Sequence, residues 1–470
     1  MSKPTETPTK NPKVSLDTLS AFTKRRGFIF QGSEIYGGLA GTWDYGPYGV
    51  LLKNNIKAMW WKHFVTEQED MYGLDTAILM NAKVWEASGH TGAGFADPLV
   101  EDLITHKRYR ADHLLEDNGV DNADELTIEQ MDAKIKELKL KSPEGNALSD
   151  ARVFNMMFST QAGAINDTSA LVYLRPETAQ GMFVNFKNVI DSLHPKLPFG
   201  LAQIGKNFRN EITPKDFIFR VRELEIMELE YFIYPKNWEA AFKKLHEATL
   251  AWFERLGLNQ KDIHELEVPE AGRAHYSKRT IDFEYNYPFG IKEISGLAYR
   301  TDFDLTKHMT VTGTDMTYAD AETGEKFVPH VIEPSFGLDR HFLAVIAAAY
   351  EEQEVKPGDT RVVLHFKPEL APVKIAVSPL LRNKPELVAK AREVFGLLKK
   401  EFGAVVWDDN GNIGKRYRRQ DEIGTPLCVV VDFDTLEDAA VTIRHRDTME
   451  QTRVKIDALI DAVQEQLESF

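Results

Sequence analysis

The chain has 470 residues, 43% of them hydrophobic and 27% charged. That is ordinary for a soluble globular protein and long enough for several domains of roughly 100–200 residues each. A disordered, collagen-like or fibrous chain is excluded, and a single cysteine, Cys428, rules out an internal disulfide and argues against a cysteine-based zinc site. The balance of 57 basic against 72 acidic residues leaves −15, with pI near 5.4, a charge that does not favour nucleic-acid binding over the whole surface.

Residues 1–13 are rich in Pro, Thr and Lys and lack an apolar stretch, so no signal peptide is expected. A disordered tail is predicted over 1–20. Residues 14–46 alternate glycines with aromatics, from Gly27 and Phe28 to Tyr45 and Gly46, and read as tight turns on a core. Leu52, Ile56, Met59, Trp60, His63 and Phe64 recur at helical spacing and predict a helix over Tyr48–Glu67, followed by a strand near Leu74–Met80. Residues 111–150 carry 11 acidic side chains against 4 lysines and no aromatic residue, about half of the net charge. They read as an inserted surface excursion with one helix near Ile128–Leu140 and too little apolar mass for a core of its own.

From there to about residue 350, strands are predicted at Val172–Leu174, Phe199–Ile204, Glu223–Tyr234, Thr280–Tyr287 and His308–Thr314, and helices at Trp238–Leu256 and Leu338–Tyr350. Dominant strands with irregularly placed helices imply an α+β domain on a mixed, mainly antiparallel sheet, over about 21–360. Pro357, Gly358, Pro368 and Pro372 punctuate residues 351–372, and the linker is placed at 361–372. Beyond it, strands at Lys374–Val377, Ala404–Trp407, Leu427–Asp432 and Ala440–Arg446 alternate with helices at Pro385–Glu401, Ile413–Glu422 and Thr448–Leu467, a compact α/β domain over 373–470. The longest apolar run, Phe342–Tyr350, falls well short of the ~18–20 residues of a membrane span. A cytoplasmic protein is expected.

No GxxxxGK[ST] loop, strand-linked GxGxxG or GxSxG is present. The segment from Gly205 to Glu230 is the most unusual in the chain. Arg209, Arg220 and Arg222 could fork onto phosphate oxygens. Four glutamates, Glu223, Glu225, Glu228 and Glu230, fall within one predicted strand, although acidic residues are depleted in strands. By alternation, Glu223 and Glu225 face one way and Glu228 and Glu230 the other. Either this is an edge strand with solvated carboxylates, or it is a sheet surface that binds a cation beside arginines that bind an anion. Three further segments stand out: Arg175-Pro-Glu-Thr-Ala-Gln-Gly181, Lys292-Glu-Ile-Ser-Gly296, and Glu333-Pro-Ser-Phe-Gly-Leu-Asp-Arg340 leading into a helix.

Phe208-Arg-Asn-Glu211 with the Glu-rich strand resembles motif 2 of class II aminoacyl-tRNA synthetases, and Gly337-Leu-Asp-Arg340 resembles motif 3. Val84-Trp-Glu-Ala-Ser-Gly-His90, Arg175–Gly181, Glu333-Pro-Ser335, Gly414–Pro426 and Arg446-Asp-Thr-Met-Glu450 resemble the homodimeric glycyl-tRNA synthetases in particular, over about residues 20–460. The resemblance implies glycine activation by ATP to glycyl-adenylate and transfer to tRNA(Gly), with Arg209, Arg340 and Glu293 as the catalytic set. It implies an ATP site of Arg209, Asn210, Glu211, Phe219, Arg220, Val221, Arg222, Glu223, Leu224, Glu293, Ile294, Gly337, Leu338, Asp339 and Arg340, with Glu293 meeting Mg²⁺ through ATP. It implies a glycine site of Arg110, Glu177, Leu224, Glu225, Ile226, Met227, Glu228, Glu333, Pro334, Ser335, Phe336 and Gly337.

The last domain resembles the family's anticodon-binding domain, with Lys415, Arg416, Tyr417, Arg418 and Arg419 as tRNA contacts. The Tyr48–Glu67 helix resembles the motif 1 helix, which implies a homodimer. Some bacterial relatives carry paired cysteines where Glu101–His106 stands here, so no structural zinc is expected. Diadenosine tetraphosphate synthesis is a side activity suggested by family analogy. Two other readings are a non-catalytic, nucleic-acid-binding paralogue and an adenylate-forming ligase with another acceptor. The retained Arg209, Arg340 and Glu293 disfavour the first, and the anticodon-like domain disfavours the second.

Overall fold

The computed structural model describes all residues except 1–13, 93–94, 121–122, 124–125, 164–170 and 275. Most of the expected tail lies outside the described residues, but its end does not. Val14 is buried, and Ser15 caps a helix, α1 (Leu16–Arg25), so ordered structure begins before residue 20.

Seven strands form the central sheet: β1 (Met71–Gly73), β2 (Phe199–Phe208), β3 (Glu223–Ile233), β4 (Ile263–Glu267), β5 (Arg279–Tyr287), β6 (Gly290–Thr301) and β7 (His330–Gly337). Their spatial order is β4-β5-β6-β7-β3-β2-β1, antiparallel throughout except for β1 beside β2. The Glu-rich strand β3 is therefore central, and the edge-strand reading is excluded.

One face of the sheet packs on α2 (Pro47–Trp61), α5 (Trp238–Arg255) and α7 (Leu338–Ala349), through a core that includes Trp60, Trp252, Phe253, Phe336 and Phe342. The near-uniform burial of α7 matches its apolar run from Phe342 onward. A second core, with Phe183, Phe186, Phe199, Phe232 and Leu305, joins the sheet to α4 (Ala179–Leu193) and α6 (Phe303–Thr312).

The insertion does hold a small core, contrary to expectation. Its helix α3 (Ile128–Glu137) contributes Met131 and Ile135, which pack with Val100, Leu114 and Leu115. Aliphatic residues suffice because a three-stranded antiparallel sheet, Ala96–Glu101 with Arg108–Arg110 and Arg152–Asn155, closes one side. Asp102 ties the loops together. It accepts from the Ile104 and Thr105 amides, both at 2.8 Å, and from Ser142 and Asn146.

Four further expectations are corrected. The strand expected at Leu74–Met80 is two short ones, Met71–Gly73 and Leu79–Met80. The β-branched stretch His308–Thr314 lies mostly in α6, where Asp304 in the first turn pairs with Arg300 and tertiary contacts override propensity. The linker at 361–372 is not a free connection. A hairpin, β8 (Tyr350–Lys356) and β9 (Asp359–Leu364), turns at Gly358 with φ 81°, and Phe366, Leu370 and Val373 join the main core.

The C-terminal sheet comprises β10 (Ile375–Pro379), β11 (Val405–Trp407), β12 (Leu427–Val431), β13 (Ala440–His445) and β14 (Gln451–Lys455), in the order β11-β10-β12-β13-β14. It packs on α8 (Pro385–Phe402) and α10 (Leu459–Glu468), with α9 (Ile413–Glu422) against the hairpin. The helix expected over Thr448–Leu467 is strand in its first half, the fourth correction, because Thr452 and Val454 pair across to β13. No helix among the described residues is long and apolar enough to cross a membrane.

Candidate active site

Two adjoining cavities, of about 310 and 270 Å³, open on the sheet, and Arg209, Glu293 and Ser335 line both. The first holds the anion-binding half. Arg209 follows β2, donates from Nε to the Pro176 carbonyl at 3.2 Å, and lies 5.8 Å from the Phe95 ring. It has no carboxylate partner among the described residues within ion-pair distance. Arg340, in the first turn of α7, pairs with Glu293 at 3.2 Å and lies 4.4 Å from the centre of the Phe219 ring. The guanidinium is in cation–π contact with the ring, which holds a cation and an aromatic face together at the edge of the cavity. Glu211, Arg220, Val221, Leu224 and Gly337 line the same cavity.

Near Arg340, Glu293 and Glu284 are paired across β5 and β6, and Asp282 lies two residues before Glu284 on β5, past an irregularity in the register. Burial first, then the charges of Glu293 and Glu284, pushes the Asp282 carboxyl up to about 7. Like charges across a ladder repel, and Arg340 offsets part of that repulsion through its ion pair with Glu293.

The second cavity holds the cation-binding half. Glu177 accepts from Gln180 at 3.1 Å and pairs with His90 at 3.2 Å. Burial opposes its ionisation, but His90, Arg300 and Gln180 together outweigh it and hold the carboxyl well below its usual range. Glu228 accepts from the amide of Thr178 at 3.2 Å and from its hydroxyl. Glu333 pairs with Arg300 at 2.7 Å, and burial still pushes it up to about 8. Arg300 is itself buried, forks onto Asp304 at 2.8 and 2.9 Å, and lies 3.8 Å from the Tyr276 ring. Ser335 stands between the two halves. Arg110 lines the first cavity and is held by Asp97 at 2.8 Å and by Asp112.

Several expected site residues serve the frame instead. Glu225 faces away from Glu228, as strand alternation requires, and its carboxylate is held by Lys53 at 2.9 Å and Lys57 at 3.1 Å of α2. It also lines the first cavity, with both lysines already bonded to it. Asp339 accepts from the Glu225 amide at 2.8 Å and from Tyr45, so motif 3, motif 2 and α2 share one buried brace. Arg222 is spent on the carbonyls of Glu211 and Ala40, at 3.1 and 3.0 Å, and not on a phosphate position. Glu223 is exposed and pairs with Lys206. Asn210 donates its amide to the Met156 carbonyl, and Ile294, Met227, Leu338 and Phe336 point into the main core, while Ile226 lines the first cavity and Pro334 is buried. Lys53, Lys57 and Tyr45 carry no local sequence signal, because each acts through a partner far along the chain.

Most of the basic run on α9 is engaged within the protein. Arg416 is buried and donates to the carbonyls of Pro379, Asp409 and Gly411. Arg418 pairs with Asp359 at 2.9 Å and Arg419 with Asp408 at 2.6 Å, while Tyr417 lies under Arg444 at 4.7 Å. Of the five, Lys415 alone is exposed and without an ion pair among the described residues. Arg416→Ala is expected to destabilise the C-terminal domain by about 1–3 kcal/mol, because three carbonyls lose their donor. Lys415→Ala is expected to change stability by less than about 0.5 kcal/mol. Thermal unfolding of the two variants checks the contrast.

Comparison with known proteins follows this geometry. Residues 163–350 match the family model described as "tRNA synthetase class II core domain (G, H, P, S and T)", and residues 374–466 match "Anticodon binding domain". The fold and the site thus define a class II aminoacyl-tRNA synthetase with an appended anticodon-binding domain. The chain is 51% identical over 462 residues to the glycine–tRNA ligase of Caldanaerobacter subterraneus, covering 97% of this chain and 99% of that one. It is 50% identical to that of Clostridium acetobutylicum, over 96% and 99% of the two chains, and 46% identical to that of Thermus thermophilus, over 97% and 99%. The chain belongs to the glycine–tRNA ligase family.

Proposed function

We propose that the chain attaches glycine to tRNA(Gly) in two steps through a glycyl-adenylate. The observation that carries this reading is the juxtaposition of the two half-sites: an arginine with no carboxylate partner, Arg209, adjoins a cage of Glu177, Glu228 and Glu333. Glycine is a zwitterion that spans both. The cage holds its ammonium, which leaves its carboxylate beside Arg209. The carboxylate attacks the α-phosphorus of ATP, the bond to the β-phosphate oxygen breaks, and pyrophosphate leaves. Arg209 stabilises charge on the phosphoryl oxygens, and Arg340, over Phe219, orients the base and the phosphate tail. Glu293 would meet the Mg²⁺ that neutralises the ATP phosphates when bound. In the second step a hydroxyl of the terminal tRNA ribose attacks the glycyl carbonyl and AMP leaves.

Charging of tRNA(Gly) with radiolabelled glycine tests the whole reading. Acid-precipitable glycine that depends on ATP supports it, and none from folded protein contradicts it. A homodimer belongs to the same proposal. Ile35 and Tyr36 are 91% and 88% exposed, and Leu39, Val50 and Leu51 are exposed with them on the loop and helix at the N-terminal end of the chain. Apolar surface of this kind fits a second copy. Sedimentation at micromolar concentration checks it, and a monomer would refute it.

A further inference from the structure

A fourth carboxylate lies beneath the ammonium cage. Glu230 follows Glu228 by two residues on β3, so both face the same side of the sheet. It is fully buried, and neither of its oxygens has a hydrogen-bond partner among the described residues. One oxygen each from Glu228, Glu230 and Glu333 lies within 4.8 Å of the other two.

The groups around it are already committed. Arg300, from β6, bonds to Glu333 and Asp304. Gln180, in the first turn of α4, serves Glu177, Asp304 and His308 of α6. Glu228 takes the Thr178 donors, and Tyr276 lies against Arg300. Glu230 thus meets three carboxylates, Glu228, Glu333 and Asp304, and one arginine that is bonded elsewhere. An ionised carboxylate has no donor in this position and keeps its proton instead. Burial, followed by the charge of Glu333, pushes Glu230 well above the usual carboxyl range.

We propose that Glu230 is a further specificity-determining residue of the glycine site: it is a carboxylic acid while the site is empty, and the glycine ammonium displaces its proton to solvent and takes over its charge. This rests on the glycine-binding reading above. The exchange balances without a co-reactant. The O–H bond of the acid breaks, the proton goes to buffer, and N–H···O bonds from the ammonium replace it. A ligand must bring a compact cation to make this trade. Glycolate, which has a hydroxyl where glycine has its ammonium, leaves the proton in place and binds weakly.

The test is calorimetric titration of glycine into the full-length protein near neutral pH, in phosphate and in Tris, two buffers that differ in ionisation enthalpy. The expected result is net proton release on glycine binding, with Glu228 and Glu333, also raised by burial, contributing beside Glu230, and affinity that rises with pH. Glu230→Gln is expected to lose part of the release and to weaken the pH dependence. Its melting temperature should exceed that of the unsubstituted protein more at pH 8 than at pH 5. The sign follows from linkage: a carboxyl whose folded pKa lies above its unfolded 4.5 loses its stabilising contribution as pH rises toward the folded value, and glutamine does not titrate. No proton release from the unsubstituted protein, which needs no variant to fold, overturns the proposal, as does equal release in Glu230→Gln or glycolate binding as tight as glycine. If glycine gives no binding heat and no pyrophosphate exchange, the glycine-binding reading itself falls.

Discussion

Arg209→Ala is expected to slow glycine-dependent ATP–pyrophosphate exchange by roughly 100- to 1,000-fold, the usual loss when one preorganised donor to a developing charge is removed. The fold should tolerate the change. The side chain makes one hydrogen bond, to the Pro176 carbonyl, and the main-chain pairing of residue 209 with Arg222 does not involve the guanidinium. Arg209→Lys keeps the charge but loses the fork, so it should recover part of the loss and stop well short of full activity. Exchange within about threefold of the unsubstituted rate would mean that Arg209 does not face the transferring phosphorus.

The second large effect is on stability. Arg300→Met is expected to cost about 3–5 kcal/mol, because it leaves Glu333 and Asp304 buried without their cation. Methionine keeps an apolar stem but loses the guanidinium that lies over the Phe183 and Tyr276 rings, so the loss includes these cation–π contacts as well as the ion pairs. Urea unfolding followed by tryptophan fluorescence measures it, and Trp85 and Trp252 are buried probes. The same variant should weaken glycine binding, since Glu333 loses the partner that fixes its orientation. A loss below about 1 kcal/mol would show that the two carboxyls are neutral without Arg300.

Much of the site was legible because class II motifs sit on consecutive elements. Alternation along Glu223–Tyr234 separates Glu225 from Glu228, and in the structure one reaches the lysines of α2 while the other faces Thr178. Alternation could not say which face was the pocket. That depended on Lys53 and Lys57, which lie four residues apart on one side of α2 and show nothing locally. The helix Ile413–Glu422 is legible to the residue, but the internal partners of its arginines are not. Their carboxylate partners, Asp359 and Asp408, lie in other elements, and no spacing rule reveals an ion pair across a fold. The helix α4 was missed because Arg175–Gly181 reads as turn punctuation. That segment begins the helix, and Met182, Phe183, Phe186 and Val189 then continue at helical spacing. Arg300 and Glu230 illustrate the same limit. A buried charge is recognised by what surrounds it, and the surroundings are tertiary.

The most direct test of the central claim is ATP–pyrophosphate exchange by the full-length protein with glycine, alanine or serine as the only amino acid. The account predicts exchange with glycine and far less with the other two, because the cavity that Tyr276, Leu297 and Ser335 line beside the carboxylates has to exclude even one added methyl group. Folded protein that shows no glycine-dependent exchange, or that exchanges equally well with alanine, would contradict it.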